Sequence, residues 1–211
     1  TVVKFASANY QVQDLCHFLA GLGVKIEGIG TSTLAILGKE KLNKEYSFQL
    51  SEDPIEAMFF LAAAIVTKSS ILIKRCPLEY LELELFKLEK MGLKYKIAKE
   101  YKSENGFAQL ADIKTYPSEL IAPEEKIYGR PYPGLNIDNL PFFVPIAAQA
   151  KGETLIHDWV YENRAIYYTE LNRLGAKINL ADAHRVFIKG PVEFKPAEIN
   201  TLPALRPSAI I

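Results

Sequence analysis

One pattern recurs three times along the chain. Leu19-Ala20-Gly21-Leu22-Gly23-Val24-Lys25-Ile26, Leu88-Glu89-Lys90-Met91-Gly92-Leu93-Lys94-Tyr95 and Leu171-Asn172-Arg173-Leu174-Gly175-Ala176-Lys177-Ile178 each place a Gly four residues after a Leu and a Lys two beyond that Gly. In each copy residues at helical spacing come before the glycine and a strand pattern comes after it. Glycine tolerates the left-handed backbone at a helix C-terminus, so each copy predicts a helix stop leading into a strand. Gly23, Gly92 and Gly175 lie 69 and 83 residues apart. A period of about 70 to 80 residues is too long for the common solenoids. It implies a globular body assembled from copies of one α/β unit.

The segments between the glycines fit that unit. Val2 to Phe5 reads as a strand, residues 12–21 as a helix, and Val24 to Ile26 and Leu34 to Leu37 as strands around the turn Gly28-Ile29-Gly30-Thr31. Next comes an apolar helix from Asp53 to Val66, with Asp53 as N-cap and Pro54 at the first position. Ile71 to Ile73 is a strand, Leu78 to Met91 a helix and Leu93 to Ile97 a strand. Tyr101 to Phe107 is a polar hairpin turn, and Pro117, Pro123 and Pro131 punctuate an extended connection to Pro133. In the third copy Asp138 caps an apolar helix to about Ala150. Thr154 to His157 is a strand, Asn163 to Leu174 a helix, Ala176 to Ile178 a strand, and Arg185 to Ile188 its hairpin partner. The helices 53–66 and 138–150 are apolar nearly all round, which predicts burial on every side. The fold class is therefore α/β in the broad α+β sense: repeated βαβαββ units with buried helices and outer mixed sheets.

Composition narrows the function classes. The 211 residues carry 25 Lys+Arg and 25 Asp+Glu, a formal net charge of zero, which gives no support to a nucleic-acid or anionic membrane surface. No apolar run approaches the roughly 20 residues of a membrane span, and no signal-peptide pattern opens the chain. Cys16 and Cys76 form no metal or disulfide framework, so a reducing cytoplasm is the expected location. The three histidines have no metal-ligand spacing, and Gly28-Ile29-Gly30 lacks the third glycine of a dinucleotide loop. No cofactor is expected. The chain opens on a strand already under way and closes inside the apolar Ala209-Ile210-Ile211, as a piece of a longer protein would.

The loop-placed charged residues cluster between Pro131 and Ile178. Asp138 follows a Pro-Gly loop at a predicted helix start, where a carboxylate can cap the helix or serve as a base toward a substrate hydroxyl. Glu162-Asn163-Arg164 lies between a strand and a helix. Arg164 there fits local charge pairing at a solvated helix start, or recognition of an anion by its planar fork. Arg206 precedes Pro207 and a possible helix, so it is either a surface arginine or part of an anion site.

Asp138-x4-Phe143, Gly152-Glu153-Thr154, Val160-Tyr161-Glu162-Asn163-Arg164, Leu174-Gly175-Ala176-Lys177 and Ala204-Leu205-Arg206-Pro207-Ser208-Ala209 follow one another as in the enolpyruvyl transferases, as do Asp53-Pro54-Ile55-Glu56 and Leu61-Ala62-Ala63-Ala64. The ordered set resembles that family over essentially the whole chain, in its peptidoglycan branch. The resemblance implies two similar domains of three βαβαββ units each. Residues 1–50 would finish the first domain, and residues 51–211 would form most of the second, stopping in its last unit. The implied substrates are phosphoenolpyruvate and UDP-N-acetylglucosamine, whose 3-hydroxyl receives the enolpyruvyl group as phosphate leaves. By position, Asp138 matches the aspartate proposed as base. Val160 matches a backbone contact to the nucleotide sugar, and Arg164 the arginine of the Glu-Asn-Arg motif. Arg206 matches an arginine near the phosphoenolpyruvate and product carboxylate. Two stretches depart from the family. Ala204 stands where an Asp is usual, and Leu135-Asn136-Ile137 replaces Phe-Pro-Thr before the base. The family's cysteine loop, and the lysine and asparagine of its phosphoenolpyruvate site, belong to the first domain, so this chain is expected to be inactive alone. The branch acting on 3-phosphoshikimate, or a non-catalytic paralogue serving as a binding module, are the alternatives.

Overall fold

The computed structural model describes residues 1–42, 45–200 and 209–211. In the first unit, β1 (Val2–Lys4), α1 (Tyr10–Gly21), β2 (Lys25–Glu27) and β3 (Thr33–Leu37) form a sheet ordered β1-β3-β2. The second unit runs α2 (Pro54–Val66), β4 (Leu72–Pro77), α3 (Glu82–Lys90), β5 (Lys94–Lys102) and β6 (Gln109–Tyr116), with sheet order β4-β6-β5. The third contains β7 (Ile127–Tyr128), α4 (Phe143–Gln149), β8 (Gly152–His157), α5 (Arg164–Tyr168), β9 (Ile178–Asp182) and β10 (Arg185–Gly190), ordered β7-β8-β10-β9. In every unit the last strand pairs antiparallel with its two neighbours in the sheet. Among the described strands β7 alone pairs in parallel, with β8, across the α4 crossover.

The recurring glycine has one structural cause. Gly23, Gly92 and Gly175 have φ of 92°, 104° and 94°. In each copy the residue after the glycine donates its N–H to the carbonyl of the signature Leu: Val24 to Leu19, Leu93 to Leu88, and Ala176 to Leu171. That is the six-to-one bond of a Schellman stop. At Gly92 an added Cβ would also meet the Glu119 carbonyl oxygen at 2.9 Å.

α2 and α4 lie side by side in a core that also takes Leu81, Leu85 and Leu88 from the α3 side and Ile156, Val186 and Ile188 from the third sheet. Asp53 caps α2 by accepting from the Ile55 N–H at 2.8 Å, as expected. Burial all round holds for α4 but not for α2, which leaves Phe59 and Phe60 40% and 48% exposed. Phe59 lines an apolar groove of about 350 Å³ with Phe142, Leu171 and Ile210.

The expected helix from Asp138 starts later. Residues Leu140–Phe142 form a 3₁₀ turn and the α-helix begins at Phe143. Leu140 precedes Pro141 and is biased away from the α region, and Pro145 has no N–H for the helical ladder. The expected helix 163–174 is α-helical only over Arg164–Tyr168 and continues as 3₁₀ through Leu174. At that change the Thr169 hydroxyl bonds the Ile166 carbonyl, three residues back.

Candidate functional site

The Arg130–Asn139 loop is built from within and tied from outside. Arg130 N–H donates to the Leu135 carbonyl and Gly134 N–H to that of Pro131. The Asn136 side chain accepts from the Asp138 N–H at 2.9 Å, an Asx turn. Glu84, reaching over from α3 with 2% exposure, accepts from the Asn136 N–H at 3.0 Å and from Asn139 Nδ2 at 2.9 Å. Burial raises the Glu84 pKa, and the bonds from Asn139 and Asn136 only partly offset it. Trp159 Nε1 donates to the Gly129 carbonyl at 2.8 Å.

The third tie is Arg164, at the start of α5 after Asn163 in the left-handed region. Its Nη2 donates to the Ile137 carbonyl at 2.8 Å, and its Nη1 lies 3.9 Å from Asp138 Oδ1. The same guanidinium gives Nε and Nη2 to the two oxygens of Asp158, at 2.5 and 2.9 Å. Tyr161 lies against its face at 4.4 Å. Asp158 is fully buried and also accepts from the Tyr168 hydroxyl. Burial works against the Arg164 charge, but the bonds and charge of Asp158 more than compensate, so its pKa is raised. Burial first, and then the Asp158 charge, push the Tyr168 phenol well above its ordinary value.

Asp138 therefore does not cap a helix. Its side chain keeps 28% exposure and lines a cleft of about 290 Å³ with Tyr10, Gln11, Tyr80, Arg130 and Val160. One wall comes from the first unit and the other from the second and third. Asp138 and Val160 are brought together on this cleft. Arg164 stands behind Asp138, buried and engaged with carboxylates, so the solvated helix start allowed by the sequence is not what forms. Arg206 lies outside the described residues. Among the described residues there is no cluster of metal-ligating side chains, and no helix is long and apolar enough to cross a membrane. Cys16 and Cys76 are free and buried, and burial pushes the Cys76 thiol up to about 12.

Asp158, Tyr168 and Glu84 carried no sequence signal. Asp158 falls just past the strand expected to end at His157, and Tyr168 falls inside the expected helix 163–174. Glu84 is one of several acids on an amphipathic helix, and its partner lies 52 residues away.

The fold is that of the enolpyruvyl transferases. The family model of EPSP synthase (3-phosphoshikimate 1-carboxyvinyltransferase) matches residues 1–210, and the chain belongs to that family. Relatives named UDP-N-acetylglucosamine 1-carboxyvinyltransferase are 34% identical over 100% of this chain in Sulfurovum sp. and 35% identical over 85% in Sulfurimonas denitrificans. These matches cover 47% and 40% of the two relatives, so the chain spans about half their length. Among solved structures, the enolpyruvyl transferase NikO from Streptomyces tendae matches with a TM-score of 0.76 at 22% identity, over all of this chain and 47% of its own. EPSP synthase from Acinetobacter baumannii gives 0.71 at 21% identity, over 92% of this chain and 45% of its own.

Proposed function

We propose that this chain is part of a UDP-N-acetylglucosamine 1-carboxyvinyltransferase acting in peptidoglycan synthesis in the cytoplasm. In that reaction the 3-hydroxyl oxygen of the sugar bonds to C2 of phosphoenolpyruvate. The hydroxyl proton is lost, the carbon–oxygen bond to phosphate breaks, and inorganic phosphate leaves. Asp138 takes the hydroxyl proton as general base. Val160 contacts the nucleotide sugar through its backbone. Arg164 acts through Asp138 and the Ile137 carbonyl, and Arg206 holds the carboxylate of phosphoenolpyruvate or product. Residues 1–50 finish one domain and residues 51–211 form most of the next, with the remaining half supplying the cysteine loop. The 211-residue chain alone then turns nothing over.

The observation that carries this reading is a partly exposed carboxylate, Asp138, on a cleft between units, backed by a buried arginine and not spent on a helix cap. The names of the relatives favour UDP-N-acetylglucosamine over 3-phosphoshikimate as acceptor. Calorimetric titration of the full-length polypeptide with each acceptor tests the choice. Binding of UDP-N-acetylglucosamine is expected, with phosphate release once phosphoenolpyruvate is added. Binding of shikimate 3-phosphate alone would move the chain to the other branch. Binding of neither would make it a binding module of other specificity. Phosphate release by the 211-residue chain alone would overturn its proposed dependence on the other half.

A further inference from the structure

Arg164 stands between two carboxylates and treats them unequally. Asp158 takes two bonds from the guanidinium, whereas Asp138 has a single contact at 3.9 Å. Asp158 is itself braced. The Tyr168 hydroxyl donates to its Oδ2, its N–H donates to the His184 carbonyl at 2.7 Å, and its own carbonyl meets His184 Nδ1 at 3.0 Å. An arginine fork pairs best with a carboxylate that can take both its N–H groups. The carboxylate with no exposure has most to lose without that pairing, because an uncompensated buried charge is costly. Asp138, with 28% of its side chain exposed, can keep water or a ligand instead.

We propose that Asp158, braced by Tyr168, is a positioning residue: it holds Arg164 so that the guanidinium clamps the Ile137 carbonyl without closing onto Asp138, leaving that carboxylate open to an acceptor hydroxyl. The inference rests on the assignment of Asp138 as base, and it adds two residues that touch no substrate.

The test uses Asp158→Asn in the full-length polypeptide. With the buried anion gone, Arg164 turns to Asp138, and a crystal structure of the variant shows their separation shortened from 3.9 Å to hydrogen-bond length. The kcat falls about tenfold or more while KM for UDP-N-acetylglucosamine stays within about twofold. Tyr168→Phe gives a smaller loss of the same kind. A double variant, Asp158→Leu with Arg164→Met, exchanges the pair for apolar groups. It recovers the unfolding temperature lost in Asp158→Asn but not kcat, which separates positioning from mere stability. Wild-type kcat in either variant, or an unchanged Asp138–Arg164 separation in Asp158→Asn, overturns the inference. If the wild type transfers no enolpyruvyl group, the functional reading fails, and the crystallographic separation alone decides the positioning role.

Discussion

The second and third units share a strand order and a helix stop, yet they fill the same turn in opposite ways. Where β4 leads toward α3, Cys76 is buried beside Pro77 and the 3₁₀ turn Leu78–Tyr80 follows. Where β8 leads toward α5, the chain buries Asp158 and Arg164 instead. Both fillings satisfy the frame, so the frame does not require charge at this point. A buried ion pair is weak as a source of stability, because desolvation consumes most of its Coulomb attraction. Its presence in only one of the two units is therefore informative. Its outward side reaches the loop that carries Asp138.

The largest effect should come from breaking the pair. Arg164→Ala leaves Asp158 buried without its cation and should cost about 3–5 kcal/mol in denaturant unfolding. Cys76→Ala, at the corresponding turn, removes only a small apolar group and should cost much less. Equal losses would abolish the contrast between the units.

The helix stops are where the units should behave alike. Gly92→Ala and Gly175→Ala each force a side chain into the left-handed region, which costs about 1–2 kcal/mol. Gly92→Ala should be the worse of the two, since its Cβ would lie 2.9 Å from the Glu119 carbonyl oxygen, against 3.2 Å from that of Glu193 at Gly175. Thermal melts of the two variants would check the order.

Glu84 crosses between the units, and its effect should depend on pH. Its folded pKa is raised by burial above the ordinary 4.5, so the folded state holds the proton more tightly than the unfolded state. Stability is then highest below 4.5 and is lost as pH rises through the folded value. Glu84→Gln keeps an acceptor oxygen for Asn136 and Asn139 but cannot ionise. Wild type should lose stability relative to this variant as pH is raised from 4 to 7. A constant difference across that range would mean that ionisation of Glu84 is not opposed.

Asp182 should give the smallest effect. Hydrogen bonds from Arg185 and the His184 N–H hold its pKa down at about 2, in an exposed turn of the third unit. Its contribution is present above the ordinary 3.8 and fades as pH falls toward 2. Asp182→Asn should remove that acid sensitivity, its small loss of stability appearing at neutral pH and vanishing as pH falls toward 2.

These cases also mark what was legible from residue order. The three stops were, because a Schellman stop is written in six consecutive residues. The start of α2 was too, since Asp53 and Pro54 are local signals. The helix expected at Asp138 was misplaced because apolar periodicity ran through Pro141 and Pro145, whose missing N–H groups delay the α-helix to Phe143. Asp138, Val160 and Arg164 stood out as loop-placed residues with a family pattern. The roles of Asp158 and Glu84 did not, because their meaning lies in partners brought near only by packing.

The Asp158–Arg164 pair also limits how this protein can change over generations. A lineage losing Arg164 first passes through a form with Asp158 buried and uncompensated, at about 3–5 kcal/mol, and one losing the Asp158 charge first lets Arg164 close onto Asp138. A whole domain holds a margin of only about 5–15 kcal/mol. Single steps away from the pair are thus nearly closed, while the simultaneous exchange of both residues is open but rare. The pair therefore resists stepwise replacement, and the third unit keeps a turn unlike that of its neighbour.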